Sequence, residues 1–231
     1  MVRWMLPLPV SYRSAAWAAL IAATMPNTAA AQVELGTYVG LFLPAGDVAS
    51  YVFVIPTFAS PINPHSGATE DTAIVHLRQE TSATVGARLT VWLSERVGVE
   101  AAASYTASQL QAREAELVGA TARVLLRFGF PAQTSALHVL GGLGFLHRGG
   151  DAYERLQGTT ELRLVIGSGL RVQVSRKLTV RVDIEDNLSK PNLGFRERGW
   201  ISVEDSPPEL DNRLQHDITI SPSLVVTLGA L

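Results

Sequence analysis

The residues best equipped for chemistry in this 231-residue chain are carboxylates and arginines that recur at every second position. Asp183 and Glu185 stand two residues apart, which on an extended strand puts both side chains on one face, ~6.6 Å apart. Paired acids at that spacing suit glycoside hydrolysis. His216-Asp217, followed by Ser221 and Ser223, offers the residue types of a hydrolytic triad. Against both readings stands the supply of arginine. Arg88, Arg123, Arg127, Arg163, Arg171 and Arg181 fall on polar strand faces, as do Glu100, Glu161, Asp183, Glu185 and Asp217. A guanidinium forks onto a desolvated carboxylate, so mutual pairing is expected before catalysis. These eleven residues are read as a structural charge network, with no catalytic, cofactor or metal site. His65, His76, His138, His147 and His216 show no metal-ligand spacing. The absence of cysteine excludes disulfides and thiolate metal sites. Gly141-Gly142-Leu143-Gly144 and Gly167-Ser168-Gly169 are not phosphate cradles, because no helix follows either; close packing or bending of strands explains them.

The elements that carry these residues alternate with a period of two. In Thr84 to Leu93, Val85, Ala87, Leu89, Val91 and Leu93 are apolar, while Thr84, Gly86, Arg88 and Thr90 occupy the other face. Val97 to Thr106, Leu162 to Val174, Leu178 to Glu185 and Asp217 to Leu228 repeat the pattern, and weaker copies run through Leu35 to Leu43, Val118 to Phe128 and Leu137 to Phe145. The alternation predicts eight antiparallel strands, each near the ~9 to 11 residues that a tilted membrane-spanning strand needs. Short links at Ser94-Glu95-Arg96, Pro131-Ala132-Gln133 and Ser175-Arg176-Lys177 alternate with long polar ones at 44–79, 107–115, 148–158 and 189–213. Sorting of connections by length is the mark of a barrel threaded through a membrane.

Composition agrees. A formal net charge of −2 gives no footprint for nucleic acid. The N-terminal 31 residues read as an export signal: Arg3 and Arg13, an apolar stretch from Ala15 to Met25, and the small residues Ala29-Ala30-Ala31, with cleavage expected after Ala31. Residues 32–231 then form one all-β domain.

Alternation alone leaves two barrels open. A soluble lipocalin-like barrel in the periplasm would turn its apolar face inward around an apolar ligand; an outer-membrane barrel does the reverse. The polar faces carry arginine rather than lysine, mixed with glycine and other small residues, which favours the crowded interior of a narrow membrane barrel. Within it, the turn at Ser94 to Arg96 sets Leu93 against Val97 and Trp92 over Gly98, a pairing that fixes register in curved sheets. That at Ser175 to Lys177 sets Val174 against Leu178, and Arg171 opposite Arg181, a repulsive pair for which Asp183 is the nearest acid.

The penultimate strand Leu178-Thr-Val-Arg-Val-Asp-Ile-Glu-Asp-Asn-Leu188 and the final strand Arg213-Leu-Gln-His-Asp-Ile-Thr-Ile-Ser-Pro-Ser-Leu224, with the loop topology, make the chain similar to the small eight-stranded outer-membrane β-barrels, such as the barrel domains of the OmpA and OmpX proteins. The chain departs from their pattern in ending at Leu231 rather than an aromatic, and in placing Pro222 inside the last strand, where a bulge or edge is expected. The resemblance implies an up-and-down transmembrane barrel in the outer membrane, with lipid around it, the barrel-assembly machinery as a partner during biogenesis, and no enzymatic activity. Eight strands leave a lumen just filled by side chains, so no open pore is expected. Loops 44–79 and 189–213 are the surfaces left for a partner, the first carrying the apolar run Tyr51 to Phe58 and the second Glu197, Glu204, Asp205, Glu209 and Asp211. A membrane-lipid-modifying enzyme is a further reading, but no histidine here has serine two positions later, as the deacylases of that class do.

Overall fold

A computed structural model describes residues 32–56, 70–129, 134–195 and 210–230. The expected export signal at 1–31, the expected turn at 131–133, Thr57-Phe58 and the acids Glu197, Glu204, Asp205 and Glu209 lie outside the described residues. The strands are β1 (Gln32–Ala45), β2 (Asp47–Pro56), β3 (Glu70–Arg78), β4 (Ser82–Trp92), β5 (Val97–Leu110), β6 (Arg113–Phe128), β7 (Ser135–Gly149), β8 (Leu156–Gln157), β9 (Thr160–Gln173), β10 (Leu178–Ser189), β11 (Gly194–Phe195), β12 (Asp211–Asn212) and β13 (Gln215–Ala230).

Eight of them close an antiparallel barrel in the order β1-β13-β10-β9-β7-β6-β5-β4. Closure follows from burying every ladder group where no water can reach it. The apolar parity points outward: Val85, Leu89, Leu143, Phe145, Leu162, Ile166, Leu170 and Ile184 are exposed, while Thr84, Arg88, Thr90, Arg181 and Asp183 are buried inside. This excludes the lipocalin-like alternative, whose inner face would be apolar.

The hairpin registers are those expected. Leu93 N donates to Val97 O (2.9 Å) and Val174 N to Leu178 O (2.9 Å). Ser94 Oγ accepts from Val97 N at 3.0 Å, and Ser175 Oγ from Lys177 N at 3.4 Å, so a serine side chain closes each turn. Two aromatics lie flat inside the wall over cross-strand glycines. Trp92 covers its partner Gly98, and Tyr38 covers Gly86 while its hydroxyl donates to Ala103 O at 3.3 Å. Pro222 produces neither a bulge nor an edge. It pairs with Val182 on one side, and on the other the β1–β13 ladder skips from Tyr38↔Ser223 to Leu41↔Ile220 without changing register. The side of proline without a donor costs one local interruption rather than a shift.

The long connections are folded, not merely polar. The stretch 107–115 is largely strand: β5 and β6 continue to a two-residue turn at Gln111 and Ala112, whose φ values of 51° and 62° give the twist a tight hairpin requires. Beyond Gly46, with φ of 121°, β2 and β3 form a second hairpin above the β1–β4 pair, and β12 adds to β2 at Ser50 and Ala49. Strands β8 and β11 pair nearby, beside a short 3-10 turn at Asp151–Tyr153. Together they enclose an apolar core of Val48, Ala49, Leu77, Leu110, Ala115, Tyr153, Leu156, Leu193 and Leu210. Tyr51 packs edge-on against Phe195 with ring centres 5.4 Å apart. Asn212 ties the chain together by donating to Leu193 O and accepting from Leu193 N, both at 3.0 Å.

Gly98→Val brings a Cβ within 2.9 Å of Trp92, and overpacking of this kind costs ~1–3 kcal/mol. At Gly141 a new Cβ meets nothing nearer than Val165 O at 3.9 Å. The expected outcome in urea titrations of the folded barrel is a lowered midpoint for Gly98→Val and little change for Gly141→Ala.

Candidate functional site: the charged lumen and its two mouths

Alternation aims every second residue of each strand into the lumen, and the barrel radius brings distant strands within reach of one another. At the centre, Arg181 and Asp183 of β10 are fully buried. Arg181 Nη1 donates to Glu100 Oε2 at 2.6 Å and its Nε to Asp183 Oδ1 at 2.9 Å. Asp183 also pairs with Arg88 from the far side of the barrel and accepts a hydrogen bond from His138 Nε2 at 2.7 Å. Glu100 is held further by Thr90 Oγ1 (2.8 Å) and Arg123 (3.5 Å). Arg123 Nη1 reaches Glu185 at 2.6 Å.

Toward the outer mouth, Arg148 ends β7 fully buried. Its Nη2 donates to Glu161 Oε1 at 2.8 Å and its Nη1 to Gln79 Oε1 at 2.8 Å; Asp217 lies 3.8 Å away. Ser189 donates to Glu161 at 2.9 Å, and Tyr153 donates to Gln79 at 3.4 Å, joining the lumen to the floor of the cap. Burial raises the pKa of that tyrosine, with the neighbouring Arg148 opposing it. Between centre and cap remains a cavity of about 20 Å³, lined by Tyr38, Phe42, Arg163, Glu185, Asn187 and others, enough for roughly one water.

Toward the inner mouth, Arg171 Nη2 donates to both oxygens of Glu34 at 2.7 and 2.8 Å. Arg127 stacks on Trp92, its guanidinium carbon 3.7 Å from the ring centre. Here the lumen opens into a cavity of about 310 Å³.

Ten of the eleven residues singled out by sequence are buried on the inner wall; Arg127 is half-buried at the inner mouth. Their pairings differ from the local ones. Arg88 is diagonal to Glu100, as the register requires, yet pairs with Asp183; Arg171 does face Arg181, but its acid is Glu34, not Asp183. Arg127 and Arg163 make no salt bridge among the described residues. Glu34, Arg148 and His138 were missed. Glu34 has the right parity for the inner face in a strand whose other inward residues carry no charge; Arg148 follows Leu140, Gly142, Gly144 and Leu146, an inner face too apolar to announce a charge.

The chemical alternatives lose their geometry. Asp183 and Glu185 share a face, but each is engaged by arginine. His216 points outward to Asp186 (3.0 Å), whereas Asp217, Ser221 and Ser223 face the lumen, so no triad forms. Among the described residues, no group of three His, Cys, Asp or Glu side chains is placed to hold a metal.

Arg181→Met would leave Glu100 and Asp183 short of a partner each, and breaking a buried pair on one side costs ~3–5 kcal/mol. The expected outcome is a clearly lowered temperature for loss of the compact, heat-modifiable gel band; an unchanged one would refute a stabilising network.

Comparison with known proteins places this geometry. Residues 15–200 match the family described as outer membrane protein beta-barrel domain. Similar solved structures include the outer membrane protein OprG of Pseudomonas aeruginosa (11% identity, 87% of this chain and 94% of that one, TM-score 0.54) and Neisserial surface protein A (9% identity, 85% and 97%, TM-score 0.47). The N-terminal barrel domain of P. aeruginosa OprF is also similar (10% identity, 87% and 100%, TM-score 0.43). No curated protein matches the sequence. With an all-β barrel, an apolar outer belt, and a family match over most of its length, the chain belongs to the outer membrane protein β-barrel domain family.

Proposed function

We propose that this protein is a non-conducting, non-enzymatic barrel of the outer membrane, whose work is structural and is carried at the cell surface by its folded cap. The observation that carries this reading is the double closure of the lumen. The interior is filled by interlocked charges, and the outer mouth is roofed by an apolar core. A water-sized cavity does not make a conduction path, and carboxylates clamped by arginine are poor acids and bases. The export signal at 1–31 would deliver the chain to the assembly machinery, lipid would surround the belt, and a surface partner would meet loops 44–79 and 189–213.

Purified barrel in planar lipid bilayers is expected to show no steady conductance step; ohmic openings at low voltage would overturn the closed-lumen reading. Overexpression is expected to leave the lipid A mass spectrum unchanged, and a new acylation state would replace this proposal with an enzymatic one. Tyr153→Ala removes a buried aromatic from the cap, a loss of ~3–5 kcal/mol to that core for comparable truncations. Limited proteolysis of intact cells should then cut the surface loops faster while the barrel keeps its heat-modifiable migration.

A further inference from the structure

We propose that the inner, periplasmic mouth of the barrel is a binding site for a small oxyanion, a phosphate or carboxylate group, held between Arg127 and Arg171. The cavity there, about 310 Å³, is the size of a small-ligand pocket and is walled by polar side chains, among them Ser135, Thr179 and Thr227. Two guanidinium groups converge on it over one indole, Arg127 at 3.7 Å and Arg171 at 5.1 Å from the Trp92 ring centre. Like charges gathered this way need an anion between them.

The protein supplies half of what is needed. Glu34 is bound through Nη2 of Arg171, whose Nη1, in a side chain only 6% exposed, has no hydrogen-bond partner. The Nε of Arg127 is likewise buried and unpartnered, and no carboxylate among the described residues comes within salt-bridge distance of its guanidinium. Glu95 and Arg96, also on the rim, are exposed and balance each other in charge. Over the whole lumen, the arginines outnumber the carboxylates by one once Glu34 and Arg148 are included; of the two without a salt bridge, Arg163 lies toward the cap and Arg127 at this mouth. A planar fork with a free N–H on each of two arginines matches the spread oxygens of phosphate or carboxylate and not a neutral ligand. The stacked indole holds Arg127 in place without neutralising it.

The same group could arrive as a soluble periplasmic anion or as the headgroup of an inner-leaflet phospholipid reaching around the rim. Full-length protein in a zwitterionic detergent is titrated with inorganic phosphate in a calorimeter at constant ionic strength, and in parallel reconstituted into vesicles of phosphatidylcholine with or without phosphatidylglycerol, from which tightly retained lipid is measured. Saturable phosphate binding that weakens at least tenfold in Arg127→Gln and not in Arg155→Gln, an exposed arginine of the cap, supports a soluble anion. Retention of phosphatidylglycerol that Arg127→Gln abolishes, without phosphate binding, supports the headgroup. Absence of both, or binding that Arg127→Gln leaves intact, overturns the site. Should Arg127→Gln lose its heat-modifiable band, Arg127→Lys keeps the charge but not the fork; binding as tight as the parent's would overturn the proposal, and intermediate binding supports it.

Discussion

Hydrocarbon offers no hydrogen bonds, and the rest of the structure depends on that. A strand edge left open in it would strand a row of donors and acceptors, so the sheet must close on itself. Closing eight strands sets a radius at which side chains from opposite walls touch. The interior is then neither a pore nor an oily core, but a space in which every polar group has to find its complement among the others.

Arginine fits this condition because one side chain can serve several acceptors. Arg181 spans Glu100 and Asp183; Arg148 serves Glu161 and Gln79 together. Glycine and aromatic residues do the complementary work of shape. Where Trp92 and Tyr38 lie along the wall, a glycine across the ladder makes room, and each ring then carries a guanidinium on its open face: Arg127 over Trp92, and Arg88 over Tyr38 at 4.5 Å. Packing, register and charge are therefore fixed by the same few residues.

What the sequence made legible was whatever depends on neighbours in the chain. Parity assigned the inner residues, and the serine turns assigned the pairing of Leu93 with Val97 and Val174 with Leu178. Parity also argues against a triad at His216-Asp217, since adjacent strand residues face opposite sides. Partners across the lumen were not legible. Whether Arg171 meets Asp183 on its own neighbour or Glu34 on a strand far away in sequence depends on barrel radius and stagger, which no local pattern encodes. The cap was hidden for a related reason. Its core residues, such as Val48, Leu110, Tyr153 and Leu193, come from separate connections with no shared period, so polar composition read as loop.

All four outer connections contribute to that one core: Val48 and Leu77 from the first, Leu110 and Ala115 from the second, Tyr153 and Leu156 from the third, Leu193 and Leu210 from the last. Surface loops of a barrel are usually free to diversify one at a time. Here a change of volume in one connection must be answered in another, so sequence variation in the cap is channelled to outward-pointing positions such as Gln111 and Asp151. The pairing of β12 with β2 lies over the seam where β13 meets β1, so the cap bridges the ladder that closes the wall. The roof is thereby also a clasp on the barrel's first and last strands.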